Sequence, residues 1–502
     1  MENKIKAWED YFIQTMKIKL SKDPMDVAAL ALCLFAFFCW VILLSYKYFH
    51  FGYQDWDLAF FAQGMWNLIH GSGYVSVFDT NFFANHANLI ACLVIPLYKV
   101  FPHPLTLVFL KVLSYVAAAF ILYTLAKEKL GSRTALIFLC LYLLYVPNVM
   151  GIFYEFDFES LAPAFLMLIY YFYVKDRWVG FLICAVILIL IKENLPLIIL
   201  AFSIHGLFVK KDKVRWAVIP GILALVSFYL LVFVFIPYVS GKPIGEENPY
   251  YIGQNYKDLG GSIGGVFYSF IFHPIKFLRY VMTPINLNFL LIILAPFICL
   301  PLARPGILFL ISPILFQHLL SSFRTEQSVF YAYVLTIAPF FFLATIESLS
   351  SLYKRARRTF HIILALLLLF NFIYFFLNLQ EMGKRFMPEG VQSEEMTRDR
   401  WELFHMIPPD ASVIASFSFL TPLSQRKDLY AFYKIYDFRY QNGPGAFVLP
   451  VTVQYALIDF DDPWLVHRMN GQPGVRSRLN KFFIQYKWKV IKRYGKIMLY
   501  NR

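Results

Sequence analysis

Apolar residues run in long blocks through the first 380 positions, separated by short basic clusters, and after Gln380 such blocks no longer occur. The first run, from about Met25 to Tyr48, follows Lys4, Lys6, Lys17, Lys19 and Lys22 and has no small-residue cleavage site behind it. It reads as a signal anchor that starts in the cytoplasm. Basic clusters recur at Lys127 to Arg133, Lys175 to Arg177, Lys210 to Arg215 and Lys354 to Arg358. If all of them face the cytoplasm, the spans between them come in even numbers.

That parity has consequences along the chain. Spans near 134–150 and 161–174, then 179–191 and 195–209, place Gly151 to Ser160 and Lys192 to Asn194 outside. Several are shorter than the ~20 residues that a perpendicular helix needs, so tilt, thinning or burial must help them. Before Lys127 the first span exits and Leu105 to Ala126 returns, so the apolar stretch Leu89 to Phe101 cannot cross. It is short, carries Pro96 and is followed by Pro102 and Pro104, which predicts a re-entrant or interfacial helix inside a first external loop of about 50–103. Later, 216–238 exits and Val239 to Ser262 forms a loop rich in Gly, Pro, Asn and Tyr. Val266 to Tyr280 is expected to lie outside as an amphipathic helix. Spans near 284–302, 305–321, 329–349 and 359–379 complete about eleven crossings, with the C-terminus outside.

Composition agrees with this class. The chain is 59% hydrophobic and 16% charged, with 54 Phe and 33 Tyr, and its mean hydropathy is +0.57. No soluble globule with a polar surface fits those values. The six cysteines all lie in apolar stretches and read as small buried hydrophobes, without a disulfide framework. The net charge of +14 resides mostly in clusters that orient spans, which argues against nucleic acid as a partner. Residues 380–502 form a separate small α/β domain: 412–416, 455–459 and 488–492 read as strands, 401–406 as a helix, and Tyr494-Gly495 as a hairpin turn. This domain holds eighteen basic residues against twelve acidic ones. The excess suits either anionic headgroups or simple solvation.

Two acidic clusters stand just outside apolar segments: Tyr53-Gln54-Asp55-Trp56-Asp57 and Glu155-Phe156-Asp157-Phe158-Glu159. Carboxylates are costly there, which points to a metal or acid/base site facing one compartment. Leu58 to Ile69 has helical periodicity with Phe60, Phe61, Met65 and Trp66 on an apolar face, so Asp57 either caps that helix or works. Asp157 and Glu159 cap no obvious helix, although Pro163 marks a helix start nearby. Together with His86 or Asn88, these carboxylates would suit a hard cation such as Mg²⁺ or Mn²⁺. Lys192 and Glu193 are either an ion pair at a helix end or an anion-holding pair, and Arg324 with Glu326 offers the same choice.

The order W-D-L-x-F-F-x-Q-x-x-W-N (Trp56 to Asn67), N-H-x-N (Asn85 to Asn88), Pro96-Leu-Tyr, D-F-x-S (Asp157 to Ser160) and K-E-N (Lys192 to Asn194) resembles a bacterial and archaeal family of membrane proteins of unknown function. The resemblance covers roughly residues 50–340. That family is in turn similar to the GT-C glycosyltransferases, which include protein O-mannosyltransferases, the aminoarabinose transferase of lipid A and oligosaccharyltransferases. The resemblance implies a GT-C-like α-helical polytopic membrane domain over 1–379 and an extracytoplasmic α/β domain over 380–502, in the cytoplasmic (inner) membrane.

It also implies transfer of a sugar from a polyprenyl-phosphate donor, among membrane lipids, to a glycan, lipid or protein acceptor. In that reading Asp57, Asp157 and Glu159 are catalytic. Asp55, Gln63, Trp66, His86, Asn88, Lys192, Glu193 and Arg324 contact substrate, and Asp57, Asp157, Glu159 and His86 hold any divalent cation. Glu159 stands where the family leads one to expect His, and Asn194 where an acid is common, so metal-dependent and metal-independent readings both stay open. Two rivals remain. A transporter or flippase would need ionisable groups near the midplane, for which Lys111 is the main candidate, and a non-catalytic assembly subunit would tolerate loss of Asp57.

Overall fold

The computed structural model describes residues 23–242, 255–388, 393–437, 447–472 and 474–502. The N-terminal lysines up to Lys22 and residues 243–254, half of the loop expected over 239–262, lie outside the described residues.

Each expected span is a helix or a bent pair, except the one near 284–302, where the helix Pro284–Leu294 gives way to two short 3-10 turns, Ala295–Phe297 and Leu300–Ala303. The long ones are Pro24–Phe49, Pro104–Leu130, Val214–Ser240, Val334–Arg355 and Arg357–Leu377. The run near 134–150 is Ser132–Leu144 followed by Val146–Phe153 at an angle of 45°. Pro147 causes that bend, because it offers no N–H to the preceding turn. At the break the carbonyl of Tyr142 accepts from the Tyr115 hydroxyl (2.9 Å) and the Asn148 amide (3.1 Å). The expected short spans are Ala162–Val174, Trp178–Ile191, Pro196–Val209 and Pro305–Leu320. At 1.5 Å per residue these reach only about 20–24 Å. They are packed among the other helices, so fewer of their residues face lipid. Proline stands in the first turn of six of these segments, where its missing N–H costs nothing.

Ion pairs mark one end of the bundle. Lys127 meets Asp26 (2.6 Å), Lys129 meets Glu347 (2.8 Å), Lys175 meets Glu128 (2.6 Å) and Lys210 meets Asp176 (2.6 Å). The basic clusters that the parity argument put on one side therefore do share a side. The Pro24–Phe49 helix, about 39 Å long, carries the chain from there to the acidic end.

At the acidic end, the expected non-crossing segment is a ten-residue helix, Ala91–Val100. Its start is tied to the Leu190 carbonyl through Ile90 N–H (2.7 Å), and beyond its end the His103 ring packs 5.0 Å from that of Tyr48. Both ends thus lie at the same end of the bundle, so the segment returns to the face it left. One expectation needs correction: Val266 to Tyr280 is not one helix but two, Ile263–Phe272 and Pro274–Val281, because Pro274 stops the first.

The C-terminal domain is a five-stranded mixed sheet in the order 429–431, 413–415, 455–459, 497–501, 489–494, with the first three strands parallel and the last two antiparallel. Its first helix begins earlier than expected, at Glu394, because Ser393 caps it by accepting from Met396 N–H. The domain is docked on the first loop rather than tethered to it. Trp401 donates to the Phe49 carbonyl (2.8 Å). The ring of Trp56 packs against Phe417, Tyr433 and Trp464.

Candidate active site

Asp57 is the first residue of the Asp57–Ile69 helix, and its own carboxylate does not cap it. The cap comes from the second acidic cluster, about a hundred residues away. Glu155 accepts from Asp55 N–H through one oxygen (2.7 Å) and from Leu58 N–H through the other (2.8 Å). A carboxylate at a helix N-terminus meets both unsatisfied N–H groups and the positive end of the dipole. Asp57 is thereby released from the capping role and accepts from the Tyr154 hydroxyl (2.6 Å), which also reaches Asp55 (3.4 Å).

The loop that delivers Tyr154 and Glu155 is held by two buried lysines. Lys111 donates to the carbonyls of Ile152 (2.8 Å), Tyr154 (2.7 Å) and Glu155 (3.1 Å), and Lys47 donates to those of Phe153 (2.6 Å) and Arg385 (2.8 Å). Both sit where the Val146–Phe153 helix leaves its last carbonyls open. Lys111, the residue that a transporter would use, is therefore an anchor of the acidic loop. Arg385 lies over the ring of Tyr154 (4.6 Å) and near that of Tyr331 (5.4 Å). Its Nε and Nη2 are buried without a hydrogen-bond partner.

Burial pushes Asp57 well above the usual carboxylate range, and the charge of Asp55 adds to the push. Asp55 rises as well, burial again being the largest cause, although Trp56 N–H and Arg385 oppose it. Glu155 is pushed up to about 7 by burial and then by Asp55.

The seam continues through Asp157. Contrary to expectation Asp157 does cap a helix, accepting from Glu159 N–H at the start of the short Phe158–Leu161 turn. Lys192 pairs with Glu159 (2.5 Å) and lies 3.7 Å from Asp157. Burial works against its charge, but Glu159, Asp157 and Glu193 together hold its ammonium well above the ordinary value. Lys192 and Glu193 thus do not pair with each other at the helix end. Glu193 instead takes the His86 ring (2.8 Å) and Ala87 N–H (3.1 Å). Burial raises it, yet His86 and Lys192 outweigh burial and bring it down to about 2. Asn194 donates to Gln317 (3.0 Å). Asn88 is fully buried at a φ of +38°, and neither side-chain atom has a hydrogen-bond partner.

The structure separates other expected substrate contacts from this seam. Gln63 is completely buried and donates to Ser76 (2.7 Å) and the Lys427 carbonyl (3.1 Å), so it fastens the C-terminal domain. Trp66 packs against His70, the ring centroids 4.3 Å apart and the planes tilted by 45°. Arg324 is exposed, while Glu326 accepts from or pairs with the His318 ring at 3.0 Å. Sequence reasoning missed the roles of Tyr154, Glu155 and Arg385. Glu155 lay in view inside its acidic cluster, but Arg385 falls where the composition turns soluble and gave no signal.

The expected cation set is not gathered around one point. Asp157 and Glu159 face Lys192, and His86 faces Glu193. Among the described residues, no group of three or more His, Cys, Asp or Glu side chains is arranged to hold a metal ion.

Taken together, the bent and broken spans, the long first loop carrying acids and the docked C-terminal domain define a polytopic α-helical membrane protein with a small α/β domain at one end. A solved structure of the same architecture is the crystal structure of ArnT from Cupriavidus metallidurans bound to undecaprenyl phosphate. Its TM-score is 0.51, at 11% identity, over 96% of this chain and 98% of that one. This is a likeness of fold. The chain belongs to the family described as predicted membrane protein (DUF2079), whose model matches residues 47–489. No curated protein matches the sequence significantly.

Proposed function

We propose that this protein transfers a sugar from a polyprenyl-phosphate donor to an acceptor hydroxyl at the extracytoplasmic face. The observation that carries the reading is the pairing of a raised, Tyr154-bound Asp57 with the buried, unpaired nitrogens of Arg385 across the same tyrosine ring. Such a pair offers a base of useful strength beside an anion-binding fork. Asp57 takes the proton of the acceptor O–H, and that oxygen attacks the anomeric carbon. The anomeric C–O bond to phosphate breaks, and the polyprenyl phosphate leaves with the electron pair toward Arg385. Further support comes from the shared fold with a protein solved with undecaprenyl phosphate and from the lipid-facing walls of the bundle. Lys192 stands where a divalent cation would otherwise neutralise Asp157 and Glu159, so no step is routed through a metal.

The test is Asp57→Asn in purified protein in proteoliposomes, following sugar from a polyprenyl-phosphate donor to endogenous acceptor. The isosteric change should keep the fold and lower transfer by about 10² to 10⁴. Undiminished transfer would rule out Asp57 as the base.

A further inference from the structure

On the side of the C-terminal domain facing the first loop lies a cavity of about 390 Å³ whose wall includes Gln54, the residue before Asp55. That volume is in the range of small-molecule sites. Five carboxylates line it: Glu395, Asp399, Asp459, Asp461 and Asp462. Two of them are matched within the wall, Asp459 by Arg400 (2.8 Å) and Asp461 by Lys496 (2.7 Å). Asp462 caps the Pro463–Gly471 helix by accepting from Trp464 N–H (2.9 Å) and Leu465 N–H (3.2 Å), which leaves Glu395 and Asp399 in excess. An acidic lining alone would be a solvated face, but two further lining residues are built differently. Ser418, 4% exposed, has a hydroxyl without a hydrogen-bond partner, and Arg400, also 4% exposed, has Nε and Nη1 without one. A fold does not leave buried donors unmet unless something else meets them.

We infer that this cavity is the acceptor subsite and takes an amine-bearing, hydroxyl-rich ligand, an amino sugar being the simplest case. Hydroxyls are both donors and acceptors, so they satisfy carboxylates and the Ser418 and Arg400 groups at once. The excess of two acids, Glu395 and Asp399, selects a cation over a neutral sugar. Through Gln54, the ligand stands beside the loop that carries the base. The inference rests on the transferase reading for the word acceptor, but not for the ligand chemistry.

The experiment is titration calorimetry on the full purified chain with a glucosamine disaccharide and its N-acetylated counterpart. Saturable binding at least tenfold tighter for the free amine is expected, weakened at least tenfold in Glu395→Gln/Asp399→Asn and in Ser418→Val. Equal binding of the two probes, absence of saturable binding, or equal binding by the double variant would overturn it. Binding as expected without any transfer by the wild-type protein would remove the transferase reading and leave the ligand assignment standing. Transfer with an unaltered acceptor KM in the double variant would do the reverse.

Discussion

Glu155→Gln should destabilise the protein by about 2 kcal/mol although Glu155 need never touch substrate. The carboxylate takes one N–H on each oxygen, whereas a carboxamide has one oxygen, and its NH₂ must point at the second N–H. A hydrogen bond to a charged group contributes about 1.5–3 kcal/mol, and a buried N–H left unmet costs about 1–3 kcal/mol. Burial and the charge of Asp55 raise Glu155 to about 7, which weakens the charged form and places the loss toward the middle of that range. Asp57→Asn should cost far less, since Tyr154 donates to an amide oxygen as readily as to a carboxylate. Thermal unfolding in detergent reads both: Glu155→Gln should lower Tm by several degrees and Asp57→Asn by little, while both lower transfer. An unchanged Tm in Glu155→Gln, or a larger fall in Asp57→Asn, would refute the claim that the second loop caps the first helix.

Other outcomes follow from the same geometry. Since burial and Asp55 raise Asp57, the base is protonated at acidic pH and transfer should rise with pH through that raised value; a rate that does not rise with pH above the ordinary carboxylate range would contradict it. Arg385→Lys should retain more transfer than Arg385→Met, and equal loss would mean that charge toward the phosphate is not its contribution. Chelation should leave transfer unchanged because Lys192 neutralises Asp157 and Glu159; loss restored by Mg²⁺ would assign those acids to a metal. Glu193, held at about 2 against an ordinary value of 4.5, contributes stability above 4.5 that is lost as pH falls toward 2, and His86→Ala should flatten that part of a Tm-against-pH curve.

Much of the architecture was legible because lipid imposes a coarse grammar of long apolar runs and basic turns. The parity of Lys127 to Arg133 against the first span was enough to expel Leu89 to Phe101 from the set of crossings, and the helix there does return to its starting face. The break at Pro274 was also written in the sequence, yet the amphipathic pattern on both sides masked it. The site was less legible. Asp57 and Asp157 could be picked out as expensive carboxylates, but which acid caps which helix depends on two loops meeting, and no local pattern reports that. Gln63 looked like part of a binding motif, whereas it joins Ser76 to backbone carbonyls some 360 residues away. Arg385 depends wholly on where the last span delivers the chain.

The cap that Glu155 places on the Asp57 helix also sets an order on biogenesis. When the first loop leaves the translocation machinery, the N–H groups of Asp55 and Leu58 have only water as acceptor, and Glu155 does not reach them until the second and third spans have been inserted and Lys111 has taken the carbonyls behind Tyr154. Until then the first acidic loop is only a soft, hydrated strand of chain. Its carboxylates acquire their raised affinity for protons at the moment when the bundle closes beneath them, so a half-inserted molecule carries the residues of the site without its chemistry.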